Sequence, residues 1–180
     1  MSHGLKADVE KLEKAMNCLG YGQTPVMLVG HSLGGFYAAY YAARHPDQVK
    51  AMVLLDANVI EFYSAEKEQY YAQTDDAEAA QWESRQQGIY YVFKDFVNTI
   101  RTMREIHLPP FLPVTDIVSD KTPFTESIDS IAWKKAHLDF AAASPGRTEI
   151  IAIGTGHFIH LDDPALVINA IIWQYKKLNP

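Results

Sequence analysis

With 180 residues, 48% of them hydrophobic, the chain is long enough for one compact domain with a buried core. A formal net charge of -6, with no basic block longer than a pair, argues against a nucleic-acid partner. The one cysteine, Cys18, excludes an internal disulfide, and no apolar run approaches the ~20 residues of a membrane span, so a cytoplasmic protein is expected.

The opening MSHGLKADVEKLEK is polar and helix-patterned, unlike a signal peptide. Leu5, Val9, Leu12, Met16 and Leu19 recur at helical spacing, and Gly20 suits the cap that ends such a helix. Pro25 opens the short run Val26 to Val29, apolar on both faces, which predicts a buried parallel strand. Residues 35–44 predict a helix, stopped at His45-Pro46. Val49 to Leu55 predicts a second strand, ending at Asp56.

Residues 57–108 change character: rich in Tyr, Gln, Glu and Ala, they predict several helical pieces, closed by Pro109, Pro110 and Pro113. Alternation then resumes. A strand is predicted over 114–118 despite Asp116 inside it, a helix over 131–142 and a strand over 149–153. Asp163-Pro164 forms an N-cap and first-turn pair for a last helix through Lys177. Strands alternating with helices mean an α/β fold with a mostly parallel sheet flanked by helices. The expected organisation is a first part of the core over 1–56, a helical insertion over 57–108 and a second part of the core over 109–180. An insertion at the C-terminal ends of parallel strands lies over the usual ligand crevice, which makes it a candidate lid. Its aromatic residues, Phe62, Tyr63, Tyr70, Tyr71, Trp82, Tyr90, Tyr91, Phe93 and Phe96, are expected mainly to pack that insertion, with an apolar acyl pocket as the other use.

Gly30-His31-Ser32-Leu33-Gly34 fits G-x-S-x-G, between a predicted buried strand and a predicted helix. A turn this sharp holds the serine in a strained conformation with its side chain projecting above the sheet. Side chains at positions 30 and 34 are expected to collide with the neighbouring strand and helix, which accounts for both glycines. The helix N-terminus aims free N–H groups at the site, and the Leu33 N–H is the expected oxyanion donor. His31, the variable position of the motif, is expected to shape the substrate pocket.

A serine near neutral pH needs a base. His3 lies near the terminus, His45 after a helix, His107 at the end of the insertion and His137 in a predicted helix. His157 and His160 lie in IAIGTGHFIHLDDP. His157 directly follows the last predicted strand and the flexible Gly154-Thr155-Gly156, so a loop can return its imidazole to the serine; His160 is the other candidate. The acid that orients the imidazole must follow a strand at the same sheet edge. Asp56 and Asp120 both qualify. No metal or organic cofactor is implied.

VGHSLGGFYAAYYAARHPDQVKAMVLLDA resembles the nucleophile strand, elbow, helix and next strand of the α/β-hydrolases, and the segment from Trp133 through HFIHLDDPALVINAI resembles the C-terminal end of bacterial members. The resemblance implies Ser32 as nucleophile, His157 as base and the Leu33 N–H in the oxyanion hole. It also implies a small-molecule ester or related acyl substrate. Two departures stand out. Thr122 occupies the place where many members carry the acid after the penultimate strand, whereas some relatives take it from the preceding strand end, here Asp56. And 31 residues precede Ser32, where members carry further strands and the loop that supplies a second oxyanion donor. Such a loss is worth roughly 3 to 4 kcal/mol in comparable enzymes. The expectation is therefore a portion of a longer hydrolase, or a chain that completes its apolar sheet edge as a homo-oligomer. The alternative to catalysis is a binding module on a hydrolase scaffold.

Overall fold

The computed structural model describes residues 3–83 and 86–178, which fall into two compact units, one from the described residues up to 24 together with those of 63–106, the other from residues 25–62 together with those from 107 to 178. The second unit holds a four-stranded, all-parallel sheet of β1 (Val26–His31), β2 (Val49–Leu55), β3 (Val114–Ser119) and β4 (Arg147–Ala152), in that spatial order. Its helices are α2 (Gly34–Arg44), α6 (Ser127–Ala142), the single turn α7 (Ile159–Asp162) and α8 (Pro164–Leu178), with a 3₁₀ turn at Ile60–Phe62. The first unit is helical: α1 (Leu5–Cys18), α3 (Ala65–Ala80), α4 (Gln87–Lys94) and α5 (Phe96–Arg104). Among the described residues, no helix is long and apolar enough to cross a membrane.

The sheet follows from its side-chain alternation. Val53 and Leu55 of β2, Ile117 of β3 and Ala152 of β4 share one face, and pack with Val167 and Ala170 of α8 and Ile159 of α7. The opposite face of β3 carries Asp116 toward α6. β2 and β3 are central and almost wholly buried. β1 and β4 are the edges of this sheet, and on β1 Val29 is 47% exposed. The apolar sheet edge expected at this strand is what the structure has, while the burial expected of the run 26–29 is only partial.

Asp116 does not interrupt β3, all six residues of which are buried. Its Oδ2 lies 2.7 Å from His137 Nδ1, and neither side chain is exposed. Burial pushes the Asp116 carboxyl up, against the His137 hydrogen bond. The apolar run tolerates a carboxylate because the facing helix supplies its partner. α6 begins at Ser127, one turn before the predicted start. β4 begins at Arg147 rather than 149, since the Arg147 guanidinium lies over the Phe140 ring and donates to the Phe140 carbonyl at 3.0 Å. Asp163 caps α8 as expected, accepting from the Leu166 N–H at 2.9 Å.

In the helical unit Ser64 caps α3, accepting from the Lys67 N–H. Phe96 packs edge-on against Tyr63 and Tyr71, and Ile100 and Met103 are buried beside it in sequence on α5. Arg104 donates to the carbonyls of Tyr63 and Ser64 and pairs with Glu68. Phe62 belongs to the other unit, where its ring meets Phe124 and Trp133.

Candidate active site

Ser32 is the first residue past β1, and Asp56 the first past β2; the register pairs His31 with Leu55, so the two follow neighbouring strand ends. Among the described residues, Ser32 (φ 54) and Asp56 (φ 41) are the non-glycine positions with positive φ. That conformation is sterically costly for a side-chain-bearing residue and persists where the surroundings hold it. The surroundings are specific. The Ser32 N–H donates to the Leu55 carbonyl at 3.2 Å, and the Ser32 carbonyl accepts from Gly35 at 3.0 Å and Asn58 at 2.8 Å. The Asp56 N–H donates to the Ile117 carbonyl at 2.7 Å.

The glycines around Ser32 divide differently from the motif. A Cβ on Gly30 would lie 2.7 Å from the Gly34 carbonyl oxygen, so glycine is required there. A Cβ on Gly34 would meet nothing within 4 Å. Gly35 is the crowded one: its Cβ would lie 2.6 Å from Ala57 Cβ and 2.9 Å from the Asn58 carbonyl oxygen. The expected collision at position 34 is thus corrected to position 35, the residue that faces the segment after Asp56. Leu33 stands at the start of α2, and its N–H precedes the helix's own hydrogen bonds.

His157 reaches the same strand ends from the loop after β4. Its Nδ1 lies 2.7 Å from Asp56 Oδ2, with the carboxylate fully buried and the imidazole 22% exposed. Burial alone pushes the Asp56 carboxyl up, but hydrogen bonds from His157, Trp133 and Ser119 outweigh it and hold the carboxyl below its ordinary value. An ionised carboxylate only accepts, so His157 donates from Nδ1, and whenever the ring is neutral its lone pair lies on Nε2. The other Asp56 oxygen, Oδ1, accepts from the Ser119 N–H at 3.1 Å and from Trp133 Nε1 at 3.0 Å.

Asp120 lies elsewhere. Its Oδ2 accepts from the Gly154 N–H at 3.2 Å and its Oδ1 lies 3.5 Å from Lys134 Nζ. The Gly154 and Lys134 bonds hold this exposed carboxyl below its ordinary value. Asp162 accepts from the Gly156 N–H at 2.7 Å. The two carboxylates therefore brace the loop that carries His157 on either side of Thr155, whose carbonyl accepts from the Lys121 N–H at 2.9 Å.

His31 packs beside His157, ring centroids 4.6 Å apart, and its Nε2 lies 2.9 Å from the His157 carbonyl oxygen. A carbonyl only accepts, so His31 bears its proton on Nε2. Burial, with the charges of His157 and His160, lowers the His31 pKa against the backbone hydrogen bond and Asp56. The His160 ring stands edge-on to His31 at 4.9 Å, with Nδ1 buried and unpartnered among the described residues.

A family model described as the alpha/beta hydrolase fold matches residues 3–98, more than half of the chain. The chain belongs to the alpha/beta hydrolase fold family. This hydrolase-fold chain is 47% identical over 55 residues to the lipase LipV of Mycobacterium tuberculosis (strain ATCC 25618 / H37Rv). That match takes in 31% of the chain and 20% of the lipase. Among solved structures, an esterase from Thermogutta terrifontis superposes over 100% of the chain and 75% of its own, with a TM-score of 0.65 at 15% identity. A structure from work on carboxylesterases of the ammonia-oxidizing thaumarchaeon Nitrososphaera gargenis covers 99% of the chain and 74% of its own, with a TM-score of 0.65 at 13% identity. At such identities the likeness is one of fold.

Within this hydrolase-fold chain, the residues that sequence reasoning missed are those that serve Asp56. Ser119 contributes a backbone N–H, which no residue type announces. Trp133 had a usable signal, since a buried indole N–H ordinarily finds an acceptor. Its acceptor is 77 residues away in sequence, and only the packing of α6 shows which one it is.

Proposed function

We propose that the chain is a serine hydrolase that cleaves esters or related small acyl compounds, with Ser32 as nucleophile, His157 as general base and Asp56 as the acid. The observation that carries this reading is the hydrogen-bonded Asp56–His157 pair, its carboxylate buried, at the strand end beside the strained Ser32. Ser32 Oγ attacks the acyl carbon while His157 Nε2 takes the hydroxyl proton. Negative charge develops on the acyl oxygen, toward which the Leu33 N–H and the start of α2 offer a fixed dipole. The intermediate collapses, His157 returns the proton to the leaving alcohol, and the acyl group remains on Ser32. Water then attacks with His157 again as base, and the acid product leaves. Asp56 stays ionised throughout, fixes the Nδ1–H tautomer and stabilises the imidazolium. His31 shapes the pocket by holding the His157 backbone. Helices α3, α4 and α5 stand in sequence between β2 and β3.

The test is hydrolysis of p-nitrophenyl esters of graded chain length by the native chain and three variants. Ser32→Ala removes turnover. Asp56→Asn lowers kcat by about 10⁴, as expected when the base is left in the wrong tautomer. Asp120→Asn keeps kcat within a few-fold. Unchanged hydrolysis in Ser32→Ala overturns the reading, and the reverse order of the two aspartate variants overturns the choice of acid.

A further inference from the structure

The Asp56 carboxylate is held asymmetrically. Oδ2 faces His157, while Oδ1 accepts two hydrogen bonds, one from the Ser119 N–H and one from Trp133 Nε1. The Ser119 N–H is part of β3 and comes with the sheet. Trp133 is different, since a phenylalanine would fill much the same apolar space on α6 without an N–H to aim. Its side chain is 1% exposed. Rings fix it on several sides: Phe62 at 4.9 Å and 80°, Phe124 at 5.4 Å and 62°, His137 at 4.8 Å and 67°. His137 lies one helical turn further along α6 and is itself held by Asp116. A continuous path of contacts therefore runs from Asp116 through His137 and Trp133 to Asp56 and His157.

We propose that Trp133 is a positioning residue for the Asp56–His157 pair: its indole N–H fixes the rotation of the carboxylate and so decides which oxygen is offered to His157, and the buried Asp116–His137 pair holds the indole in that aim. The proposal rests on the reading of Asp56 as the acid. A carboxylate with both lone-pair directions of Oδ1 occupied cannot turn about its Cβ–Cγ bond without breaking two bonds, one of them to a buried donor that has no water to replace it. The indole N–H also points the positive end of its dipole at the pair. Without it the pair binds a proton more readily.

Trp133→Phe keeps an aromatic ring and removes the donor. The expected result is a kcat roughly ten- to a hundred-fold lower with KM little changed, and an acid limb of the pH–rate profile moved to higher pH. A residue that only packs would not move that limb. A second measurement needs no turnover. The ring-carbon resonances of His157 and the Nε1–H resonance of Trp133 are followed by NMR as the native chain is titrated. Among the described residues, His31 of β1 packs against His157 and His160 of α7 against His31; behind Trp133 are His137 of α6 and Asp116 of β3, with the charges of Glu61 and of Arg147 and Glu149 of β4 acting on them, so resonances are assigned for each histidine. The expected result is a Trp133 indole signal that moves with the same midpoint as the His157 ring, and a higher midpoint for His157 in a folded Trp133→Phe. An indole signal that is silent through the His157 transition overturns the proposal, as does a folded variant with native kcat and native midpoint. If the native chain hydrolyses no ester while the two signals move together, the functional reading has failed and the positioning role stands.

Discussion

Replacing Gly35 by alanine is expected to damage this protein, while the same change at Gly34 is not. The Gly35 Cβ would sit 2.6 Å from Ala57 Cβ and 2.9 Å from the Asn58 carbonyl oxygen. Carbon pairs rest at about 3.5–4.0 Å, so one side must give way by about an ångström. Neither neighbour is the end of a flexible side chain. Ala57 is buried and joined to Asp56, and the Asn58 N–H is bonded to the Ser32 carbonyl at 2.8 Å. Overpacking of this kind costs about 1–3 kcal/mol, offset by about 0.5–1 kcal/mol from replacing a helical glycine. A net loss of about 1–2 kcal/mol lowers Tm by roughly 2–8 °C in a chain of this size. Because the displaced segment begins at Asp56, ester hydrolysis should fall further than stability accounts for. Gly34→Ala meets open space and keeps only the helix gain, so Tm should hold or rise by roughly a degree or two. The assay is thermal unfolding followed by circular dichroism, with hydrolysis measured on the same samples. Equal Tm losses at the two positions would refute the packing argument.

The remaining predictions concern titration and the His157 loop. Asp75, in the helical unit, accepts from the Val97 N–H through Oδ2, and burial raises its carboxyl to about 6. Its folded value stands above the unfolded one, so the folded chain binds more protons between about pH 4 and pH 6 and loses stability as pH rises through that window. Asp75→Asn should therefore raise Tm at pH 7.5, and the gain should vanish below about pH 4; a gain that is the same at both pH values contradicts this. Asp56 has the opposite sign. Its folded value lies below its ordinary one, so its contribution is present at neutral pH and is lost as pH falls through the depressed folded value. In Asp56→Asn, urea unfolding should show a shallower loss of stability on acidification below about pH 4 than the native chain does. Asp162→Ala removes the acceptor of the Gly156 N–H. We expect a several-fold rise in amide hydrogen exchange over 154–157 and a fall in kcat with little change in Tm.

Most of the sheet and the helices flanking it could be read from the chain, because buried parallel strands are short apolar runs and their helices carry a 3.6-residue stripe. What was hidden depended on the facing element. Asp116 looks like an interruption until α6 brings His137 against it. The first turn of α6, Ser127 to Ser130, is mostly polar and gives no periodicity to read. The motif's symmetry suggested that Gly34 mirrors Gly30, yet the crowded atoms belong to residues 57 and 58, which the motif does not contain. The choice between Asp56 and Asp120 was open for the same reason. Both follow the C-terminal ends of central strands, and the loop after β4 presents a different group to each: His157 to Asp56, and the Gly154 N–H to Asp120.

The central claim is that Ser32 is a nucleophile activated by His157. Its most direct test is covalent labelling with a fluorophosphonate, read by mass spectrometry on the native chain, Ser32→Ala and His157→Ala. The account predicts one label per chain, on the peptide that contains Ser32, absent from Ser32→Ala and strongly slowed in His157→Ala. A folded native chain that takes no label at Ser32, or one that labels at the same rate without His157, would contradict it.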